Sequence, residues 1–164
     1  MMKVAVLSDT HLREGQRLPG PVQHIVDHVD LVVHAGDLIS EYPFAELREQ
    51  GRFVAVRGNC DWDLTLPEKM VVQCQELKIG LVHGYQFRSA QQMCAAFDED
   101  VRLIVFGHSH IPRVQRVHLE EEAQECVLFN PGSPTQRRRQ PHASMGLLKV
   151  DGSEFEVEHI YFED

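Results

Sequence analysis

Residues 103–110 read Leu-Ile-Val-Phe-Gly-His-Ser-His (LIVFGHSH). The four apolar residues predict a buried strand, and Gly107 removes a side chain where the backbone must turn or approach another group closely. Because side chains alternate between the two faces of a strand, continued extension would point His108 and His110 the same way. Two imidazoles aimed at one point indicate a metal site, so the rest of the sequence should supply further ligands.

Four more apolar runs of the sequence also end in polar residues that can bind metal. In chain order, these runs are followed by SDTH at 8–11, GD at 36–37, GNCD at 58–61 and HG at 83–84. In an open α/β sheet, ligands bind outside the carboxyl ends of the strands. The five strand ends therefore deliver two aspartates, one asparagine and four histidines to one edge: Asp9, His11, Asp37, Asn59, His83, His108 and His110.

The order of the predicted elements indicates a mixed α/β fold. Strands over 3–7, 31–34 and 52–56 alternate with helices over 19–29 and 42–50, which predicts a parallel sheet with right-handed crossovers. A hairpin over 70–74 and 78–82, a helix over 89–97 with Ser89 as N-cap, and a strand over 102–106 follow. The remainder is predicted to be all-β, with strands over 113–119, 125–129, 144–150 and 154–162, an acidic turn at 120–122 and a hairpin turn at 151–152.

Composition and charge exclude several classes of function. The formal net charge is −9, so the chain is not built to coat nucleic acid or an anionic membrane. The four cysteines are Cys60, Cys74, Cys94 and Cys126, and they contain no CxxC pair. This spacing argues against a zinc knuckle or a disulfide framework and indicates a reduced, intracellular protein. No apolar run reaches transmembrane length, and the first run is too short for a signal peptide. We therefore expect a cytoplasmic protein without a membrane partner.

The number and type of candidate ligands predict a centre of two metals. Seven ligands exceed the four that a single tetrahedral zinc takes, and they suit two adjacent ions that share a bridging carboxylate. Oxygen and imidazole ligands without thiolate favour manganese, iron, zinc, cobalt or nickel over calcium or copper(I). The residues alone do not decide among these five ions.

The series DTH, GD, GNCD, HG and GHSH, in this order, resembles the calcineurin-like metallophosphoesterase superfamily. The short chain, GNCD and Asn130-Pro131-Gly132-Ser133 are most similar to its small YfcE-type phosphodiesterase branch, to which the Vps29 retromer subunit is related. The resemblance covers nearly the whole chain. It implies one metallophosphoesterase domain over 1–164, built as a four-layer α/β/β/α sandwich, and it makes a homo-oligomer an expectation.

The family pattern also implies a role for each candidate ligand. It assigns one ion to Asp9, His11 and His110, the other to Asn59, His83 and His108, and the bridge between them to Asp37. Asp37, Asn59 and His108 are in addition the expected catalytic residues. A bridging water whose pKa the metals lower becomes hydroxide and attacks phosphorus, so no protein nucleophile is needed. The expected substrate is a small phosphodiester. We expect no extended nucleic-acid-binding surface on the protein.

One position departs from the wider superfamily. Many members carry a histidine after the Gly-Asn pair, and that histidine is thought to protonate the leaving group, whereas this chain has Cys60. A thiol with a pKa near 8.5 is a poor substitute. The small phosphodiesterase branch often has this cysteine, so the change does not argue against activity. It lowers the expectation for poor leaving groups, including those of many phosphomonoesters.

Two alternative functions remain open from the sequence. The first is a protein-binding scaffold resembling Vps29, which lacks several of the ligands that this chain retains, such as Asp9, His11 and Asn59. The second is a phosphomonoesterase or a dinucleoside polyphosphate hydrolase, against which Cys60 counts.

Several other residues allow two interpretations. Asp61 either orients its loop or is solvated, and Trp62 either walls the cleft or belongs to the core. The run 137–139 (Arg-Arg-Arg) is either a solvated face or a loop that binds a second phosphate or a nucleotide. Residues 130–133 carry turn chemistry and are expected to support the site. His34 ends a strand outside the ligand series, and we interpret it as structural.

Overall fold

A computed structural model describes residues 1–98, 100–118 and 125–163. The strands are β1 Met2–Leu7, β2 Leu31–His34, β3 Phe53–Ala55, β4 Lys69–Cys74, β5 Leu77–Val82, β6 Val101–Val105, β7 Arg113–His118, β8 Glu125–Asn130, β9 Ala143–Asp151 and β10 Glu154–Phe162. The helices are α1 Gly20–Asp27, α2 Ala45–Glu49 and α3 Ala90–Ala95, and a 3₁₀ turn, Tyr42–Phe44, precedes α2.

The described strands form two sheets of five strands each. The first sheet has the order β10-β9-β1-β2-β3, and β1, β2 and β3 run parallel. The second has the order β4-β5-β6-β8-β7, and β5, β6 and β8 run parallel. Their registers align the carboxyl ends of the parallel strands, with Leu7 beside His34 in the first sheet and Val105 beside Phe129 in the second. The loops that follow these strands therefore emerge along one edge of each sheet.

Three apolar layers separate the sheets and helices. On β1, Val4 and Val6 pack between the two sheets, whereas Ala5 and Leu7 pack under α1 and α2. This burial of both faces explains why the strand reads as a continuous apolar run. The outer layer of the second sheet packs against α3, where Met93 is buried. The fold is thus the predicted four-layer α/β/β/α sandwich.

The helices are short and lie on the outer faces of the sandwich. The longest described helix, α1, has eight residues, and none in the described part has the length and apolar character needed to cross a bilayer. The predicted N-cap of α3 is confirmed, because Ser89 Oγ accepts a hydrogen bond from the Gln92 N–H at 3.1 Å. The continuous helix predicted over 42–50 is wrong: Phe44, at φ −114° and ψ 4°, interrupts α-helical geometry and leaves a 3₁₀ turn before α2.

The remaining elements follow the predicted order. The parallel arrangement of β1, β2 and β3 and the β4–β5 hairpin are confirmed. Predicted and observed strand ends coincide or differ by one residue. The last residue of the strand predicted over 113–119 and the acidic turn predicted at 120–122 lie outside the described residues.

Candidate metal centre

The loops at the carboxyl ends of five strands carry the seven candidate ligands. Asp9 and His11 follow β1, and Asp37 follows β2. Asn59 lies in the loop after β3, His83 directly follows β5, and the two remaining histidines lie in the loop after β6. The structure brings all seven side chains into a single cluster where the two sheets meet.

Two buried carboxylates form the middle of this cluster. The Oδ1 atom of Asp9 lies 3.4 Å from His110 Nε2, 3.8 Å from His83 Nε2 and 4.0 Å from His11 Nε2. The Oδ2 atom of Asp37 lies 3.3 Å from His83 Nε2 and 3.6 Å from His11 Nε2. Both carboxylates therefore face the Nε2 atoms of His11 and His83, and Asp9 alone faces that of His110.

The last two candidate ligands form the open side of the cluster. His108 Nδ1 lies 3.1 Å from Asn59 Oδ1, and the ring centroids of His108 and His83 are 5.3 Å apart. Asn59 and His108 are exposed, while Asp9 and His83 are fully buried. A small molecule can thus reach the cluster from the side of Asn59 and His108.

Four buried atoms in the cluster lack a hydrogen-bond partner among the described residues: Asp9 Oδ1, His11 Nε2, His83 Nε2 and His110 Nε2. The contact between His83 and Asp37 is close but does not have hydrogen-bond geometry. Buried polar groups without partners are costly and rare in folded proteins. Carboxylate oxygens and imidazole nitrogens that converge in this way have the chemistry of a divalent metal site. Asp9, His11 and His110 form one group that could hold an ion, and Asp9, Asp37 and His83 form another.

The two carboxylates differ in their electrostatic environment. Burial raises the pKa of Asp9, and the opposing His83 imidazole and Ser8 hydroxyl do not outweigh it. Burial also acts to raise the pKa of Asp37, but His83 and the Cys60 N–H outweigh burial and hold that pKa well below its usual range. Asp37 is therefore ionised at neutral pH, as a bridging carboxylate must be.

Most imidazoles of the cluster are held neutral. Burial is the main cause that lowers the pKa of His11, His108 and His110. His83 differs, because the adjacent carboxylates of Asp37 and Asp9 outweigh burial and raise its pKa. Neutral imidazole is the form that binds a metal.

Backbone carbonyls fix the orientation of two imidazoles. His83 Nδ1 donates to the Ala35 carbonyl at 2.8 Å, and His110 Nδ1 donates to the Gln136 carbonyl. In the neutral ring each bond places the proton on Nδ1, so Nε2 is the nitrogen that faces a carboxylate and can bind a metal. The sequence carried no signal for these carbonyl partners, because any residue can supply a backbone oxygen.

Five of the seven candidate ligands have a positive φ: Asp9 at 56°, His11 at 48°, Asp37 at 58°, His108 at 73° and His110 at 62°. Residues other than glycine rarely adopt this conformation, and it costs on the order of 1–3 kcal/mol each. The premise that the chain stays extended from His108 to His110 is therefore wrong. Both histidines reach the cluster because the backbone turns at each of them.

Two glycines let the ligand loops approach one another. A Cβ atom at Gly107 would lie 1.9 Å from Ser8 Oγ and 2.6 Å from Asp9 Oδ2. A Cβ atom at Gly58 would lie 2.1 Å from Asp37 Oδ1 and 2.3 Å from the Asp37 nitrogen. The glycines of the GHSH and GNCD motifs thus provide the space that the two carboxylates occupy.

We expect Gly107→Ala to destabilise the fold by about 1–3 kcal/mol, because the added methyl group forces Ser8 and Asp9 apart. Thermal unfolding of the metal-free protein measures this effect. Gly20→Ala is the matched control, since a Cβ atom there meets no atom within 4 Å. Equal melting temperatures for the two variants would show that the tight approach at Gly107 does not matter.

Asp61 is buried and organises two ligand loops, so the interpretation as a solvated carboxylate is wrong. Its Oδ2 accepts hydrogen bonds from the N–H groups of Asp37 at 2.7 Å and Gly58 at 2.8 Å, and its Oδ1 accepts from Ile39 N–H at 2.8 Å. The side chain thereby holds the backbone of Asp37 against the GNCD loop.

We expect Asp61→Asn to weaken metal binding by roughly 10- to 100-fold, because an amide has one acceptor oxygen in place of two. Isothermal titration with Mn²⁺ measures the affinity. The exposed Asp63 on the same loop supplies the control variant Asp63→Asn, which should bind as the parent does. Unchanged affinity in Asp61→Asn would contradict the positioning role.

The segment 130–133 supports the ligand loops, as predicted. Asn130 Nδ2 donates to the Gly107 carbonyl at 3.1 Å, and Ser133 Oγ donates to the Asp9 carbonyl at 2.8 Å. His34 is buried and lies 3.0 Å from Thr10 Oγ1, which agrees with a structural role. Trp62 is 72% exposed, so its interpretation as a core residue is wrong.

The two-sheet sandwich, with carboxylates and imidazoles gathered at its edge, defines a metal-binding hydrolase of the phosphoesterase class. The calcineurin-like phosphoesterase superfamily domain matches residues 2–153. A probable metallophosphoesterase of Methanocaldococcus jannaschii is 33% identical over 155 residues, which cover 92% of this chain and 77% of that protein. This chain therefore belongs to the calcineurin-like phosphoesterase superfamily.

Other relatives and solved structures are consistent with this membership. The YfcE phosphodiesterase of Escherichia coli is 31% identical over 109 residues, which cover 61% of this chain and 54% of YfcE. A predicted phosphoesterase of Streptococcus pneumoniae superposes with a TM-score of 0.73 at 25% identity, covering 98% of this chain and 89% of that chain. Vps29 of Entamoeba histolytica in complex with zinc has a TM-score of 0.73 at 22% identity, covers 99% of this chain and 100% of that chain, and shows the shared fold.

Proposed function

We propose that this protein is a metal-dependent phosphodiesterase with a centre of two divalent ions. The observation that carries the proposal is the convergence of four buried, unpartnered ligand atoms in a chain of this family. Divalent ions bound there would supply Lewis acidity and a hydroxide nucleophile at neutral pH. Mn²⁺ is the ion we expect.

Different candidate ligands would bind each of the two ions. Asp9, His11 and His110 would hold one ion, and the ionised Asp37 would be the carboxylate shared with the second. His83, Asn59 and His108 complete the site of the second ion, with Asn59 and His108 on the exposed side. A neutral amide and neutral imidazoles bind a cation without cancelling its charge. The exposed pair therefore lies where a phosphate oxygen would enter.

Cys60 is the feature that favours diesters over monoesters. Partial burial and the Asp37 carboxylate raise the pKa of the Cys60 thiol. A thiol with a raised pKa is a weak proton donor for a leaving alkoxide at neutral pH. Substrates with good leaving groups, such as aryl diesters, need no such donor. We therefore expect low activity on substrates with poor leaving groups, which include many phosphomonoesters.

A test compares bis(p-nitrophenyl) phosphate with p-nitrophenyl phosphate, using chelator-treated protein with and without added Mn²⁺. We expect turnover of the diester that depends on the metal, and much weaker turnover of the monoester. Comparable monoester turnover would contradict the expected preference for diesters. Absence of turnover of both substrates, with metal bound, would contradict the phosphodiesterase and favour a protein-binding scaffold.

The cellular location and the oligomeric state of the protein are part of the proposal. None of the four cysteines forms a disulfide in the described part of the chain, which fits a reducing compartment, and we place the protein in the cytoplasm. We also infer a single domain over 1–164 and a homo-oligomer, as the resemblance to the small phosphodiesterase branch implies. Gel filtration with light scattering measures the assembly directly.

A further inference from the structure

The segment 133–140 is fastened to the ligand loops at three points. Ser133 Oγ donates to the Asp9 carbonyl at 2.8 Å, and Thr135 Oγ1 donates to the Thr10 carbonyl at 2.7 Å. The Gln136 carbonyl accepts from His110 Nδ1. Because these bonds join the segment to the loop after β1 and to the loop after β6, the backbone that leads into the arginine run has a fixed position relative to the ligands.

Arg138 differs from its neighbour within this segment. Arg137 Nη1 donates to the Gln140 carbonyl at 2.8 Å. The exposed guanidinium of Arg138 has no hydrogen bond or ion pair with any residue that the structure describes. The backbone at Arg138 has a φ of 52°, which a bulky side chain rarely adopts. The fold thus holds an unpaired cation in an unusual conformation next to the cluster.

The exposed Arg138 guanidinium is available to bind an anion, because no carboxylate among the described residues pairs with it. Asp9 and Asp37 already face imidazoles, and both belong to the proposed metal centre. The reacting phosphodiester carries a single negative charge, which the bound ions neutralise. A guanidinium fork matches the oxygens of a phosphate in a bidentate contact. The partner that fits is thus a second phosphate group on the same substrate.

We propose that Arg138 forms an anion subsite beside the metal centre, and that the preferred substrates are phosphodiesters that carry a second, non-reacting phosphate. This inference rests on the proposed phosphodiesterase function. The metal centre receives the reacting phosphate through Asn59 and His108, and Arg138 receives the second one. Arg138 is a specificity residue in this scheme, because it recognises a group that does not react.

Calorimetric binding to the Mn²⁺-loaded protein tests the subsite without relying on turnover. The probes are thymidine 5′-monophosphate and thymidine 3′,5′-bisphosphate, which differ by one phosphate. We expect the parent protein to bind the bisphosphate roughly 10- to 100-fold more tightly, as a charge-assisted contact allows. Arg138→Ala should abolish this difference and leave the monophosphate affinity unchanged, and Arg138→Lys should restore part of it.

Arg139→Ala is the matched control, because Arg139 is the exposed neighbour in the same run. It should retain the preference for the bisphosphate. A parent protein that binds both probes equally, or an Arg138→Ala variant that keeps the preference, would overturn the subsite. Turnover of p-nitrophenyl diesters is measured separately, so a failure of the phosphodiesterase proposal is distinguishable from a failure of the Arg138 subsite.

Discussion

Asp37→Asn should lower metal-dependent hydrolysis of bis(p-nitrophenyl) phosphate by roughly 10³-fold, the loss expected when a single group that stabilises charge at a reacting centre is removed. The Asp37 carboxylate faces His83 at 3.3 Å and His11 at 3.6 Å, and it is ionised because His83 and the Cys60 N–H outweigh burial. An amide cannot bridge two cations with a full negative charge. The substitution therefore removes the shared ligand of the proposed centre.

The asparagine variant keeps the fold while it removes the charge. Its Oδ1 can still accept the hydrogen bond that Cys60 N–H donates to Asp37 Oδ1 at 2.8 Å. Asp100→Asn serves as the control, because Asp100 is an exposed carboxylate paired with Lys78. Steady-state kinetics at saturating Mn²⁺ decide the outcome. Parent-like turnover in Asp37→Asn would mean that Asp37 does not bridge the ions.

Removal of metal should lower the melting temperature by about 10–20 °C, since two ions at 100 times their Kd contribute about 5 kcal/mol together. Without a cation, Asp9 Oδ1 and three imidazole nitrogens are buried with no hydrogen-bond partner among the described residues. Backbone strain at five of the candidate ligands adds to this cost. Bound metal offsets both costs, so the loss of stability on chelation reports the site itself.

Differential scanning calorimetry with and without chelator measures this shift, and readdition of Mn²⁺ should reverse it. The variant His110→Asn distinguishes loss of metal from other effects of the chelator on stability, because it removes an imidazole that faces Asp9 at 3.4 Å. In that variant the shift on chelation should shrink by about half if one ion is lost. A melting temperature that chelation leaves unchanged in the parent protein would contradict a structural contribution from metal.

The sequence predicted the location of the site better than it predicted the site's local geometry. Apolar runs that end in polar residues and glycine identify strand ends, and parallel strands place those ends at one edge. Asp9, Asp37 and His83 cluster for this reason alone. The positive φ values at His108 and His110 could not be foreseen, because alternation along a strand assumes extended backbone beyond the last hydrogen-bonded residue.

The groups that position the ligands through hydrogen bonds were harder to predict from the sequence than the ligands themselves. Asp61 accepts three backbone N–H groups, but the sequence reveals neither its burial nor the loops that converge on it. The carbonyls of Ala35 and Gln136 orient imidazoles without any side-chain signal. In the sequence, Arg138 is recognisable only as part of a basic run. What distinguishes it from Arg137 is that Arg137 donates a hydrogen bond to the Gln140 carbonyl within the loop, which the sequence does not show.

A titration of chelator-treated protein with Mn²⁺, in which bound metal and diester turnover are followed together, tests the dinuclear centre directly. We expect turnover to stay low up to one ion per chain and to reach its maximum at two. The same titration of Asp37→Asn should reach neither the second ion nor the activity. Full turnover at one ion per chain, or turnover without bound metal, would contradict the dinuclear centre.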